Sequence, residues 1–278
     1  MAKKDYQRLC ADRRLLQQWY AAGLGQWLLE IERRQLDEIL PNLFGYHLIQ
    51  VGHPVQEDLL GSSRIGHRVV VDTDGSGEPE APPAADTPEA PCHDGVVAGV
   101  GLRGRPDALP LQRDAVDVVV LPHTLEFEAR PHEVLREVER VLVAEGHVVI
   151  LGFNPWSPWG LWRILRRRRG RPPWYGTFRS VLRLKDWLAL LGFDPVMCRM
   201  YFFRPPLRHA GIMRRLGFLE RWGERWGERW WPFLGGAYVL VARKRVISLT
   251  PVKPRWRPRR LVHVNLARRL THRRQPGS

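Results

Sequence analysis

Four short runs constrain this chain more than any other feature: HLIQV (47–51), HRVVVD (67–72), VDVVVL (116–121) and GHVVILGFNP (146–155). Their centres are apolar without the in–out polar alternation of a half-exposed strand. Such a strand must be covered on both faces, as happens in parallel sheets wrapped by helices. Between the last two runs lies PHEVLREVERVL (131–142). Its Val134, Leu135, Val138, Val141 and Leu142 recur at steps of three and four, which predicts an amphipathic helix with Pro131 suited to its first turn. Gly146 is expected to end that helix and open the next strand.

The pattern continues on either side. VVAGV (96–100), VMCRMYFFR (196–204) and GAYVLVARKR (236–245) read as further strands, and LKDWLALLGF (184–193) as a helix. QEDLLGSSRIG (56–66) suits a short helix. Seven strands alternating with helices predict one α/β domain, a sheet with helices on both faces. Ahead of it, Leu16, Trp19, Tyr20, Leu24, Trp27, Leu28 and Ile31 sit near helical spacing, and Gly23 and Gly25 are expected to divide that helix in two. Residues 1–44 thus form a helical cover on a domain spanning 45–250. Residues 73–95 are rich in Pro, Gly, Ala and acid, so they are expected to be a disordered surface insertion within that domain.

Charge is localised. Of 278 residues with a net charge of +15, the tail at 251–278 holds nine Lys/Arg and no acid, and 163–171 holds six Arg and no acid. Those clusters, Arg163–Arg171 and the tail, suit a nucleic acid, an anionic membrane surface, or simply water. Cys10, Cys92 and Cys198 lie far apart without paired spacing, which argues against a disulfide framework or zinc site and for a reducing cytoplasmic compartment. The amino terminus has no apolar signal core, and no apolar run approaches the roughly 18 residues of a membrane span.

In doubly wound sheets, ligands bind beyond the carboxyl ends of the strands. Gly52 follows the first strand, and Asp72 ends the second 20 positions later. A carboxylate at that separation suits a pair of ribose hydroxyls. The strand order, with DALPLQRDAVDVVVLPHTLEF followed by HEVLREVERVLVAEGHVVILGF, resembles the class I S-adenosylmethionine-dependent methyltransferases. Within them it is most similar to the group that includes quinone-biosynthesis methyltransferases. The resemblance covers roughly 45–245 and is sharpest over 107–151. It implies a Rossmann-like seven-stranded fold, S-adenosylmethionine as cofactor, and methyl transfer to an acceptor that the sequence does not identify.

Residue by residue, the resemblance puts Gly52 at the first glycine of the cofactor loop and Asp72 at the ribose. Asp107, Ala108 and Leu109 fall on the loop near adenine. Leu121 and Pro122, with His123, Leu125 and Glu126 after them, fall at the methionine end and the substrate mouth. Gln50 stands on the cofactor-binding strand where relatives usually carry an acid, and Pro54 where they carry a second glycine. Arg105 occupies the usual place of an adenine-binding acid, for which Asp107 could substitute. His123 is expected at the rim of the active site, where an imidazole takes a proton near neutral pH. Glu126 either contacts substrate or caps the next segment. Asn154–Pro155 resembles an amino-group methyltransferase motif but follows the wrong strand, although Asn154 could still face the pocket.

NPWSPWGLWRILRRRRGRPPWYG (154–176) and ERWGERWGERWW (220–231) concentrate tryptophan with arginine. The first can stack on bases, settle in a membrane interface, or pack as a lid on the core, while the second puts Trp222, Trp226 and Trp230 on one helical face suited to core or a dimer contact. The altered glycine loop leaves a second function open, a non-catalytic binding or scaffold protein that keeps the fold.

Overall fold

The computed structural model describes residues 18–21, 23–52, 59–73, 102–166, 176–203 and 235–246. The strands are β1 (His47–Val51), β2 (His67–Asp72), β3 (Leu102–Arg103), β4 (Val116–Pro122), β5 (Leu142–Phe153), β6 (Phe193–Tyr201) and β7 (Ala237–Lys244). The helices are α1 (Gly23–Ile39), α2 (Pro131–Val141), α3 (Pro158–Arg166) and α4 (Val181–Leu190). All the strands join one seven-stranded sheet in the order β3-β2-β1-β4-β5-β7-β6. This is the Rossmann-like methyltransferase sheet that the resemblance implied. β1 to β5 pair in parallel, and β7 runs antiparallel between β5 and β6. The chain starts at β1, moves out to β3 and returns to β4 on the other side of β1. The switch in strand order therefore lies between β1 and β4, where a doubly wound sheet opens its ligand crevice.

The period of two along each strand divides the core into two layers. Val118, Val120, Val149, Leu151 and Phe153 face one side, with Leu28 and Leu36 of α1, Tyr20 and Trp159. Val116, Val119, Leu121, Val148 and Ile150 face the other, with Val134, Leu135 and Val138 of α2 and Leu184 and Leu188 of α4. Each fully buried aliphatic side chain contributes about 1.5–3 kcal/mol. The amino-terminal helix is therefore a layer of the core, with Leu28 and Leu36 fully buried.

Several boundaries differ from the sequence reading. α2 ends at Val141 because Leu142 turns extended, its N–H closing on the Val138 carbonyl. Leu142 pairs with Val116 at a register shift in the β4–β5 ladder, so β5 begins before Gly146 and that glycine lies inside the strand. α4 begins at Val181 because the Ser180 side chain accepts from the Arg183 N–H at 3.4 Å, satisfying a first-turn donor. The described part of the expected 56–66 helix, residues 59–66, is turn and coil. Expectations for 1–17, His53 and Pro54, 74–101 with its 96–100 strand, 167–175, 204–234 and 247–278 lie outside the described residues. Among the described residues no helix is long and apolar enough to cross a membrane.

Candidate active site

At the end of β1 the backbone turns sharply. Gly52 has φ of +91°, and a Cβ there would stand 3.0 Å from Thr124 Oγ1. An L side chain pays for that φ in strain, so glycine fits the position. The Gly52 N–H donates to the Val71 carbonyl at 3.0 Å, tying the turn to β2. Thr124 Oγ1 donates to the Val51 carbonyl at 2.5 Å, tying it to the segment after β4. Gln50 is fully buried. Its Nε2 donates to the Gly52 carbonyl at 2.9 Å, while Oε1 has no hydrogen-bond partner among the described residues. Asp72 closes β2 half-buried, aligned with Arg103 of β3, and its carbonyl accepts from the Gly104 N–H at 3.0 Å.

The loop after β3 is pinned to α2. Leu109 is buried, and its N–H donates to Glu137 Oε1 at 2.8 Å. Arg140 Nη2 donates to the carbonyls of Leu109 and Leu111 at 3.2 and 2.9 Å. Ala108 is exposed, its N–H on the Arg105 carbonyl at 3.1 Å. Arg105 holds both Asp107 carboxylate oxygens, at 2.9 and 2.6 Å, and Arg130 approaches one at 3.4 Å. The hydrogen bonds from Arg105, outweighing partial burial, keep the Asp107 carboxyl below its ordinary range. The residue standing in the usual acid's place thus ties up the acid two positions away.

Leu121 and Pro122 are buried at the end of β4. His123 follows at φ of +52°, with its N–H on the Leu151 carbonyl at 3.0 Å. The expected rim position is not what the structure shows: His123 is 1% exposed. Its Nε2 lies 2.7 Å from Glu32 Oε1 of α1, and its Nδ1 lies 3.4 Å from Glu126 Oε1. The Phe153 ring packs against it with centroids 4.3 Å apart. Burial by itself would lower the imidazole pKa, but the fields of Glu32 and then Glu126 override it and raise the value to about 10. At neutral pH the ring is therefore an imidazolium with no site for another proton.

The surroundings complete this acid–imidazolium–acid chain. Tyr20 donates its hydroxyl to Glu32 Oε2 at 3.2 Å. Glu126 Oε1 also accepts the Phe153 N–H at 2.6 Å, and Oε2 has no hydrogen-bond partner among the described residues. Gly152 leaves room here: a Cβ there would stand 2.4 Å from the Tyr238 hydroxyl and 3.0 Å from Glu126 Oε1. Burial first, and the nearby carboxylates second, push the Tyr20, Tyr201 and Tyr238 phenols well above their ordinary range. Asn154 turns away from this cluster. It donates to the Gly235 carbonyl at 3.0 Å and anchors the end of β5 to the chain entering β7.

Glu32 did not emerge from the sequence reading, though a signal existed. Leu28, Glu32 and Leu36 occupy one helical stripe at steps of four, and an acid inside an apolar stripe is costly unless it has a buried partner. The tryptophans of 156–162 separate: Trp159 is fully buried in the core, Trp162 is partly buried and Trp156 is exposed.

A family profile described as a methyltransferase domain matches residues 90–150. Protein YafS of Escherichia coli (strain K12), described as uncharacterised, is 30% identical over 232 residues, covering 84% of this chain and 82% of YafS. A chain from the complex of the Haloferax volcanii Trm112 methyltransferase activator with a methyltransferase superposes with a TM-score of 0.54 at 16% identity, covering 83% of this chain and 98% of that one. A S-adenosylmethionine-dependent methyltransferase of Thermotoga maritima does so with a TM-score of 0.51 at 15% identity, covering 87% and 96%. The chain belongs to one family with YafS, and it carries the methyltransferase-domain match within a sheet that has the fold of class I methyltransferases.

The residues present fit S-adenosylmethionine, the cofactor that the sequence resemblance implies. Gly52 lets the strand end turn tightly against Thr124 without a Cβ, Asp72 brings a half-buried carboxylate to the neighbouring strand end, and Gln50 holds a buried acceptor without a partner among the described residues.

Proposed function

We propose that this methyltransferase moves a methyl group from S-adenosylmethionine to an acceptor bound at the carboxyl ends of β1, β2 and β4. Gln50, Gly52 and Asp72 would hold the ribose and methionine portions, Asp107, Ala108 and Leu109 the adenine, and Leu121 and Pro122 the methionine end. When bound, the cofactor supplies an electrophilic methyl on a sulfonium. Catalysis then rests mainly on aligning two reactants. Glu126, with a buried carboxylate oxygen unpartnered among the described residues, receives the acceptor's proton. His123, already charged, positions the segment that carries Glu126.

The observation that carries this reading is the adjacency of Gly52 and Asp72. Val51 and Val71 are aligned in parallel strands, and the Gly52 N–H is bonded to the Val71 carbonyl, so the turn and the acid share one edge of the crevice. Calorimetry with S-adenosylhomocysteine tests it. Wild type should bind, and Asp72→Ala should weaken binding by about 1.5–3 kcal/mol, the scale of a hydrogen bond to a charged group. A folded Asp72→Ala variant of unchanged affinity would remove Asp72 from the site. Absence of binding by wild type at millimolar ligand would favour the scaffold reading, which Gln50 in the acid's place supports.

Arg163–Arg171 and the 251–278 tail support a polyanionic partner, nucleic acid or an anionic membrane. The association should weaken steeply with salt and on removal of the tail. The cysteine pattern supports a cytoplasmic location.

A further inference from the structure

The Glu32–His123–Glu126 chain joins an element outside the strand–helix repeat to the segment that follows β4. Glu32 comes from α1, while His123 and Glu126 stand immediately beyond the end of β4. All three are at most 3% exposed. Two acids flank one imidazole in the interior, and such a buried group persists only when its geometry is over-determined. Here it is held from several sides. Tyr20 donates to Glu32, the Phe153 N–H donates to Glu126, and the His123 N–H is fixed on Leu151. The field of Glu126 reaches Arg179 and the phenols of Tyr201 and Tyr238. The positive φ of His123 is held by the same restraints.

We infer that Glu32 is a positioning residue of this methyltransferase site: by clamping His123 from α1, it fixes the backbone from Pro122 to Phe127 and, through Thr124, the Gly52 turn. The inference rests on the methyl-transfer reading above. The route is continuous. Glu32 Oε1 holds His123 Nε2 at 2.7 Å, the next residue is Thr124, and Thr124 Oγ1 holds the Val51 carbonyl at 2.5 Å. That carbonyl belongs to the residue preceding Gly52. A loosened His123 therefore frees both the expected methionine end and the glycine turn. The helical cover becomes a working part of the site, not only a layer of core.

Glu32→Gln tests this, since it preserves shape and removes charge. In wild type, histidine resonances followed by NMR should show His123 protonated well above neutral pH, and S-adenosylhomocysteine affinity should stay level between about pH 6 and 9. In Glu32→Gln the imidazole loses one of its two carboxylates while remaining buried, so it should release its proton at lower pH. Affinity should fall about tenfold at pH 8 and acquire a pH dependence that tracks the His123 titration, which loss of packing alone would not produce. Should Glu32→Gln fail to fold, Tyr20→Phe removes the hydroxyl on Glu32 while keeping the ring, and should shift both readouts in the same direction by about threefold. Wild-type affinity and a level pH profile in the folded variant would overturn this inference alone. Failure of wild type to bind S-adenosylhomocysteine would overturn it together with the reading on which it rests.

Discussion

Two buried ionic groups stand at opposite ends of the sheet, and they are built differently. At the amino ends of the parallel strands, Lys244 of β7 donates to Asp114 Oδ1 at 3.0 Å and to the carbonyls of Glu139 and Leu142 at 2.7 and 2.8 Å. Glu139 Oε1 also stands 3.2 Å away, so the three Lys244 N–H bonds have more than enough acceptors and the group is saturated. At the carboxyl ends, Glu32, His123 and Glu126 form a chain whose terminal oxygen, Glu126 Oε2, has no hydrogen bond among the described residues, and Gln50 Oε1 is in the same condition. Buried acceptors left without donors cost about 1–3 kcal/mol each. A fold that saturates Lys244 at one end and leaves these acceptors open at the other has a brace at the first and a receptive group at the second.

The largest effect that would test this contrast is at His123. His123→Gln removes the cation between two buried carboxylates and should cost about 3–5 kcal/mol of stability, measured by urea unfolding at neutral pH. The pH dependence has a definite sign. A group raised from 6.5 to about 10 contributes its stability in full below about pH 6.5 and loses it as pH rises through about 10. Wild type should therefore lose stability across that alkaline interval, and His123→Gln should lose less. A variant with the wild-type slope would place the titration elsewhere.

Lys244→Met should come next, at about 2–3 kcal/mol, because two carbonyls lose a donor in a nearly buried setting while Asp114 remains half exposed. The comparison is broken if this variant, once folded, also loses S-adenosylhomocysteine affinity, since a brace should leave the opposite end untouched. Gly52→Ala should have the smallest effect on stability, about 1–2 kcal/mol, from strain at φ of +91° and the close approach to Thr124. Its effect on affinity should exceed its effect on stability, and calorimetry beside urea unfolding separates the two.

The sheet was legible in the sequence because its strands are apolar on both sides, and that pattern admits few alternatives. The strand-end positions of Gly52 and Asp72 were legible because the apolar runs stop there. The state of His123 was not, because it depends on a carboxylate 91 residues away. Nothing local distinguishes an imidazole at a rim from one sealed beneath a helix. The ion pair at Asp107 was hidden for a related reason: Arg105 reads in the sequence as a replaced acid, and only in space does it meet the carboxylate two positions away. The end of α2 was misplaced because Gly146 is a plausible stop, whereas burial of Leu142 and its pairing with Val116 decide the boundary.

The place of β7 has a consequence for the order in which the molecule can assemble during synthesis. Among the described residues β6 hydrogen-bonds to the sheet only through β7, and β7 also closes the edge of β5. Until residues 237–244 have been made, β5 presents an open apolar edge and β6 has nowhere to pair. A nascent chain that stalls in that interval exposes the kind of unpaired strand that recruits other chains. The last of the described strands to be translated thus seals this sheet, and chaperone dependence should concentrate in the interval before it arrives.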